Sequence, residues 1–322
     1  MEDHPGGPRP DPTTGSRRIT VSSGAYRRIT QAALLALCAI VVTGAAVRLT
    51  GSGLGCSDWP TCEEGRFVAS LDFHPMVEWI NRLITGLVSV AIAVAVLGSL
   101  VRTPRRRDLT IWSLALVGGV VAQILIGAVV TLSELSYGAV AVHFLVSMVL
   151  IWAAVVLVER AGRPDGEIRV PGPYRRRALG LAGWAALLLA TGAVVTSAGP
   201  HAGDKDVKRL PLDLEWAARL HGVVVWVFLA AIAWWGYQLA RSGDRVLQRR
   251  ATDLLVAAVA QGAIGYTQYF TGVPPVLVGL HVAGATLVWV MTLRLTLGAA
   301  TQPLQTDTSV APAEVRRPAV VS

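Results

Sequence analysis

Apolar residues along this chain fall in long unbroken runs, not in the alternating pattern of strands or the one-sided stripe of a surface helix. Eight such runs stand at about 31–49, 79–101, 110–131, 139–158, 178–197, 217–240, 251–270 and 276–298. Each is near the roughly 20 residues that a helix needs to cross the hydrocarbon core of a bilayer. The pattern predicts an all-α polytopic membrane protein with eight transmembrane helices. The first run follows a basic tail and leads into further spans, so it reads as a retained helix and not as a cleaved signal.

The runs divide into two fours, and the fours are alike. Thr43-Gly-Ala returns as Thr191-Gly-Ala, and Glu78-Trp-Ile-Asn-Arg-Leu returns as Glu215-Trp-Ala-Ala-Arg-Leu. Ala122-Gln123-x-x-Ile126-Gly127 returns as Ala260-Gln261-x-x-Ile264-Gly265, and in each copy a histidine, His143 or His281, follows the glutamine by 20 residues. An even number of helices per copy gives both the same orientation, related by an axis along the membrane normal. The expected architecture is therefore two repeat-related four-helix bundles. Residues 29–158 form the N-terminal half and 178–298 the C-terminal half. A cytoplasmic linker (159–177) joins them, and 1–28 and 299–322 are expected to be disordered cytoplasmic tails.

Composition agrees: 53% of the 322 residues are hydrophobic and 16% charged, with mean hydropathy +0.52. The net charge of +8 could indicate nucleic acid, but the positions of the arginines exclude that reading. They cluster at 17–28, 102–107, 175–177 and 241–250, which are alternate loops. The positive-inside rule then puts both termini in the cytoplasm and the loops 50–76, 132–138, 198–216 and 271–275 outside. No organellar targeting segment is evident, which favours a bacterial plasma membrane.

Polar groups at membrane depth are expensive and mark function. The first outer loop, Thr50-Gly-Ser-Gly-Leu-Gly-Cys56-Ser-Asp-Trp-Pro-Thr-Cys62, leads into His74-Pro-Met-Val-Glu78-Trp-Ile-Asn81-Arg82. An oxidising compartment permits a Cys56–Cys62 disulfide. Metal binding by the pair lacks the further ligands of a tetrahedral site. His74, Glu78 and Asn81 share one helix face; alternatively Glu78 simply pairs with Arg82 at i+4, as Glu215 pairs with Arg219. A lone helix histidine is usually an interior hydrogen-bonding residue. Three of them, His143, His221 and His281, sit one to two turns below the outer surface on even-numbered helices, and imidazole is a favoured axial ligand of haem iron. His221 and His281 form a natural bis-histidine pair. Arg82 and Arg219 suit haem propionates. Gln123 and Gln261 fit either a bridge between helices or a pocket wall, and His201 either a loop hydrogen bond or a site.

Taken together, the outer-loop cysteine motif, Glu78-x-x-Asn81-Arg82, Gly199-Pro-His201-x-Gly-Asp204 and the helix histidines resemble the haem A synthase family (CtaA/COX15-like). The resemblance covers about 30–298. It implies oxidation of the C8 methyl of haem O to a formyl group through hydroxylated intermediates, with water as the oxygen source, to make haem A for terminal oxidases. It also implies a resident haem b on His221 and His281 in the C-terminal half. Haem O as substrate would sit in the N-terminal half on His143, with Glu78 catalytic and Cys56–Cys62 a disulfide, structural or redox-active. Many members carry histidine where this chain has Asn81. An amide is a poor iron ligand, leaving His143 alone or with His74. The farnesyltransferase that makes haem O, a thiol or quinone electron acceptor, membrane lipid and a second copy of the chain are the partners considered. The other functions considered are a two-haem electron-transfer cytochrome and a haem transporter or assembly chaperone.

Overall fold

The computed structural model describes residues 20–63 and 65–304. Among these lie eight long helices: α1 (Ser23–Leu49), α2 (Phe73–Val101), α3 (Arg107–Leu132), α4 (Tyr137–Ala161), α5 (Arg175–Ala198), α6 (Leu214–Ser242), α7 (Arg245–Phe270) and α8 (Pro275–Ala300). At 24 to 29 residues they are about 36–44 Å long, more than the hydrocarbon thickness. Seven are long and apolar enough to cross a membrane. The remaining helix, α7, carries Arg245, Arg249, Arg250 and Asp253 in its first turns, yet packs between α6 and α8 as α3 packs between α2 and α4.

Local signals set the boundaries. Ser22, Asp213 and Asp244 cap α1, α6 and α7 by accepting the N–H of Ala25, Trp216 and Leu247, each satisfying a backbone donor that the helix leaves free. Gly243 ends α6 at φ 78°, a left-handed conformation that glycine adopts without strain.

The structured part extends further at both ends than hydropathy alone implies. Residues 20–28 are ordered: β1 (Val21–Ser22) pairs with β2 (Arg102–Thr103), and α1 starts at Ser23. The reason is Tyr26, which is fully buried and anchors the first turn under Gly98 of α2. At the other end α8 runs to Ala300 and β4 (Thr301–Pro303) pairs with β3 (Arg169–Pro171) of the linker. Residues 1–19 and 305–322, the rest of the expected tails, lie outside the described residues.

Each half is a closed ring of four helices, in which α1–α2–α3–α4 and α5–α6–α7–α8 contact in order and the first packs on the last. The halves meet through α1 on α8, α5 on α4, and α4 on α8. This exchange is what a two-fold relation between repeats requires. The seam is well filled. Ala153 to Val158 of α4 are buried in succession, and Trp289 of α8 donates its Nε1–H to the Met148 carbonyl at 2.9 Å. Leu87, Val90 and Leu97 on α2 point outward and exposed, as a lipid-facing surface must.

One end of the molecule holds the linker. There the buried Arg102 guanidinium donates to Asp165 (2.7 Å) and Ser23 (2.9 Å). Burial pushes the Asp165 carboxyl up, but its bonds to Arg102 and Ser23 and the charges of Arg102 and Arg106 win, holding it below the usual carboxylate range. The even-numbered helices begin at the opposite end, the mouth, where the long loop 50–72 and the loop 199–213 lie.

Candidate functional site

At the mouth of the first bundle, Cys56 and Cys62 form a disulfide. Both are buried with Ala69, and Trp79 packs against them. Glu78, only 7% exposed, lies directly beneath. Its Oε2 accepts the Cys56 N–H at 2.8 Å and its Oε1 accepts Arg82 Nη2 at 2.7 Å. Arg82 Nη1 in turn donates to the carbonyls of Asp58 (3.1 Å) and Thr61 (2.8 Å). The i+4 pair therefore forms, and it clamps the disulfide loop to α2. Three of the five Arg82 N–H donors are thereby given to that loop and to Glu78. Asp58 stiffens the same turn: its bonds from the Thr61 hydroxyl and the Trp59 N–H, with the nearby Arg82 charge, hold its carboxyl below its usual range.

His74 sits on the exposed rim of this site. Its Nδ1 is hydrogen-bonded to the buried Ser52 hydroxyl at 2.9 Å, and its carbonyl leaves no room for a Cβ at Gly55. The loop glycines thus serve a close approach. Among the described residues no hydrogen bond joins His74 to His143. His201 is a loop tie, its Nε2 2.7 Å from the Val273 carbonyl.

Deeper in, the two bundles carry parallel sets of polar groups. In the first, Thr43 on α1 donates to Asn81 Oδ1 on α2 at 2.8 Å. In the second, Thr191 on α5 is bonded to His221 Nδ1 on α6 at 3.0 Å. Gln123 on α3 donates to the His143 carbonyl (3.1 Å) and to Ser147 (2.5 Å); Gln261 on α7 donates to the His281 carbonyl (2.7 Å). Both glutamines therefore bridge helices. The repeated glycines make room for the rings. A Cβ at Gly192 would lie 3.2 Å from His221 Cε1, one at Gly265 2.9 Å from His281 Cε1, and one at Gly127 3.6 Å from His143 Cε1. The signals Thr-Gly-Ala and Gln-x-x-x-Gly encode this: one residue bonds to the neighbouring helix, and at Gly127, Gly192 and Gly265 the glycine gives an imidazole its space.

The threonine contacts fix the register between the halves. Thr43 and Thr191 are repeat partners, so the residues they bind, Asn81 and His221, occupy equivalent positions. On that register Glu78 corresponds to Ala218, not to Glu215. The Glu215–Arg219 pair is an exposed ion pair on the first turns of α6, with side chains 57% and 76% exposed; it does not repeat the Glu78–Arg82 clamp, and Arg219 lies on the surface. Matching letters at the starts of α2 and α6 suggested otherwise because both helices begin with the same interfacial mixture of Trp, Glu and Arg.

Asn81, His143, His221 and His281 lie six to eight residues inside helices beginning at Phe73, Tyr137, Leu214 and Pro275, about 9–12 Å below the mouth. Within each bundle the two positions sit on helices that are diagonal in the ring, α2 with α4 and α6 with α8. Diagonal helices of a four-helix ring are where facing side chains would hold a cofactor in the bundle core. The Nδ1 atoms of His143 and His281 are buried and have no hydrogen-bond partner, which suits rings whose polarity is to be satisfied by a bound group. In the first bundle the place of the second imidazole is taken by an amide, and a Cβ at Gly44, the partner of Gly192, would meet nothing within 4 Å.

A family model described as cytochrome oxidase assembly protein (COX15-CtaA) matches residues 27–72 and 67–203, which include the disulfide loop, Glu78, Asn81 and His143. Among curated proteins, a heme A synthase of Exiguobacterium sibiricum is 28% identical over 165 residues, 50% of this chain and 55% of that protein. One from Lysinibacillus sphaericus is 31% identical over 128 residues, 39% of this chain and 41% of its own. One from Geobacillus kaustophilus is 36% identical over 111 residues, 34% of each. The chain spans about half the length of the first of these relatives, and less of the others.

Proposed function

The chain belongs to the cytochrome oxidase assembly protein (COX15-CtaA) family, and on that premise we propose that it is a haem A synthase of the bacterial plasma membrane, mouth outward and both termini cytoplasmic. The reaction is oxidation of the C8 methyl of haem O: R–CH3 + H2O gives R–CHO with release of four protons and four electrons. Water supplies the formyl oxygen, and an acceptor of the quinone or disulfide class takes the electrons.

The asymmetry between the bundles carries this reading. The second bundle has two imidazoles, His221 and His281, on diagonal helices. Haem b, if held there by these two residues, would supply one-electron redox chemistry. The first bundle has one imidazole, His143, facing an amide, and adds a carboxylate, Glu78, that has no counterpart in the second. That is the half in which haem O would bind, with a single protein ligand. Glu78 lies one turn nearer the mouth than Asn81, pinned by Cys56 and Arg82. A fixed negative charge there stabilises positive charge as it develops at the reacting methyl carbon, and it does so without reorganisation. The Cys56–Cys62 loop closes the mouth above it and limits water.

The test is co-expression of the chain with a haem O source, followed by chromatography of extracted haems. Hydroxylated haem O or haem A is the expected product. Bound but unchanged haem O would replace this reading with an electron carrier or a haem chaperone.

A further inference from the structure

Arg48, next to last in α1, is the half-buried guanidinium at the mouth that the chemistry above does not use. Its Nη2 donates to the Thr196 carbonyl at the end of α5, 2.6 Å away. Its Nε is buried with no hydrogen-bond partner. No carboxylate among the described residues forms an ion pair with it, whereas Arg66, Arg82 and Arg219 at the same end each have a glutamate. An uncompensated guanidinium at this depth is costly and calls for an anion.

Its position is specific. Arg48 and Thr196 stand 148 residues apart, the same step that separates Thr43 from Thr191 and Gly44 from Gly192. They are therefore repeat counterparts. A side chain that touches its own counterpart lies on the pseudo-two-fold axis, at the centre of the seam. The loops close over this point, since the Gly53 N–H donates to the Gly203 carbonyl at 3.0 Å and a Cβ at Gly203 would lie 3.6 Å from Arg48 Cγ. Gly203 has φ +110°, a conformation in which a side chain would be strained. From its root on the first bundle Arg48 reaches toward the second: it bonds α5, and its neighbour Leu49 lies against Gly279 of α8 (3.4 Å to a Cβ built there), two residues from His281.

We propose that Arg48 binds a propionate carboxylate of the tetrapyrrole seated between His221 and His281, so that the first bundle supplies an anchoring residue to the second bundle's site. The proposal rests on the reading that a tetrapyrrole occupies that bundle. The planar fork of guanidinium matches a carboxylate, and its free donors are the ones such a group would accept. Loss of a hydrogen-bonded charge pair corresponds to roughly 10–100-fold in affinity.

The experiment compares haem with its dimethyl ester, which keeps the ring and iron but lacks both carboxylates. Purified protein in detergent is stripped of haem and reconstituted with each, and haem loss to apomyoglobin is timed. Wild type should hold haem roughly 10–100-fold longer than the diester. Arg48→Met, similar in length and uncharged, should lose haem at the diester's rate. Arg48→Lys, which keeps the charge but not the fork, should fall between and covers the case in which the methionine variant does not fold. A wild type that holds both ligands equally overturns the proposal without any variant. So does an Arg48→Met or Arg48→Lys protein with full wild-type preference. Failure of the enzymatic reading would appear separately, as unchanged haem O in extracts from a protein that still distinguishes haem from its diester.

Discussion

Removing the charge of Glu78 separates its two tasks. Glu78→Gln keeps the length and one oxygen but replaces a carboxylate that accepts from Cys56 N–H and Arg82 Nη2, at 2.8 and 2.7 Å. Hydrogen bonds to charged groups contribute about 1.5–3 kcal/mol each. The Arg82 side chain is 24% exposed and retains the Asp58 and Thr61 carbonyls, so solvent and these acceptors reduce the loss to about 1–2 kcal/mol of stability. Arg82→Met breaks the same clamp from the other side and should cost a similar amount. The two differ in chemistry. If the Glu78 charge acts at the methyl carbon, Glu78→Gln should lower product formation by about 10²–10³-fold, the range for loss of one electrostatic stabiliser, while Arg82→Met lowers it several-fold through looser positioning. The assay is the ratio of haem O, hydroxylated haem O and haem A in extracts, with the bis-histidine spectrum expected of the proposed second-bundle haem as an internal control for folding. Wild-type product from Glu78→Gln would refute the reasoning. Equal losses in Glu78→Gln, Arg82→Met and the double variant would refute it too, reducing Glu78 to a loop clamp.

Asn81→His should install a second imidazole in the first bundle: Thr43 already stands where Thr191 holds His221, and the space at Gly44 is open. The first-bundle haem should turn from high-spin to low-spin in its electron paramagnetic resonance signal, with slower product formation, and an unchanged spin state would disprove the register. Gly265→Ala puts a Cβ 2.9 Å from His281 Cε1, closer than van der Waals contact, whereas Gly127→Ala puts one 3.6 Å from His143 Cε1, an ordinary contact. The first should disturb the bis-histidine spectrum and the second should leave haem content near wild type; the reverse order would contradict the ring positions. Replacing Cys56 and Cys62 together by serine removes a closure worth roughly 2 kcal/mol for so short a loop and should lower the thermal midpoint while leaving the second-bundle spectrum intact.

Hydropathy was sufficient to read the eight helices, and the repeats to pair them, because a bilayer imposes length and apolarity on each span regardless of its partners. The depth of His143, His221 and His281 followed from those two facts. What the letters hid was register and occupancy. Glu78 and Glu215 begin similar strings, yet one is buried under a disulfide and the other exposed on a first turn; a difference of three residues in where each helix enters its bundle is invisible without the threonine contacts. Arg82 showed the converse problem: the letters offered it as a propionate holder or as the i+4 partner of Glu78, and only the carbonyls of Asp58 and Thr61 reveal that it also ties down the disulfide loop. Alpha helix α7 was legible as a span through its place in the repeat, although its charged first turns weaken the hydropathy signal.

The linker end has a bearing on how the two bundles became unlike. Arg102 ties Asp165 to the start of α1, while β3 and β4 tie the linker to the end of α8, so one segment grips the beginning of the first copy and the end of the second. In a symmetric pair of separate four-helix chains, every substitution is made twice and an amide in place of an imidazole would empty both sites of a ligand. Strapped together, the copies are neighbours at any concentration, and each substitution is made once. One copy keeps its imidazole pair while the other exchanges an imidazole for Asn81 and gains Glu78 and its disulfide lid. On the proposed function, division of labour between storage of electrons and alteration of a methyl group would be a property of the strap as much as of either site.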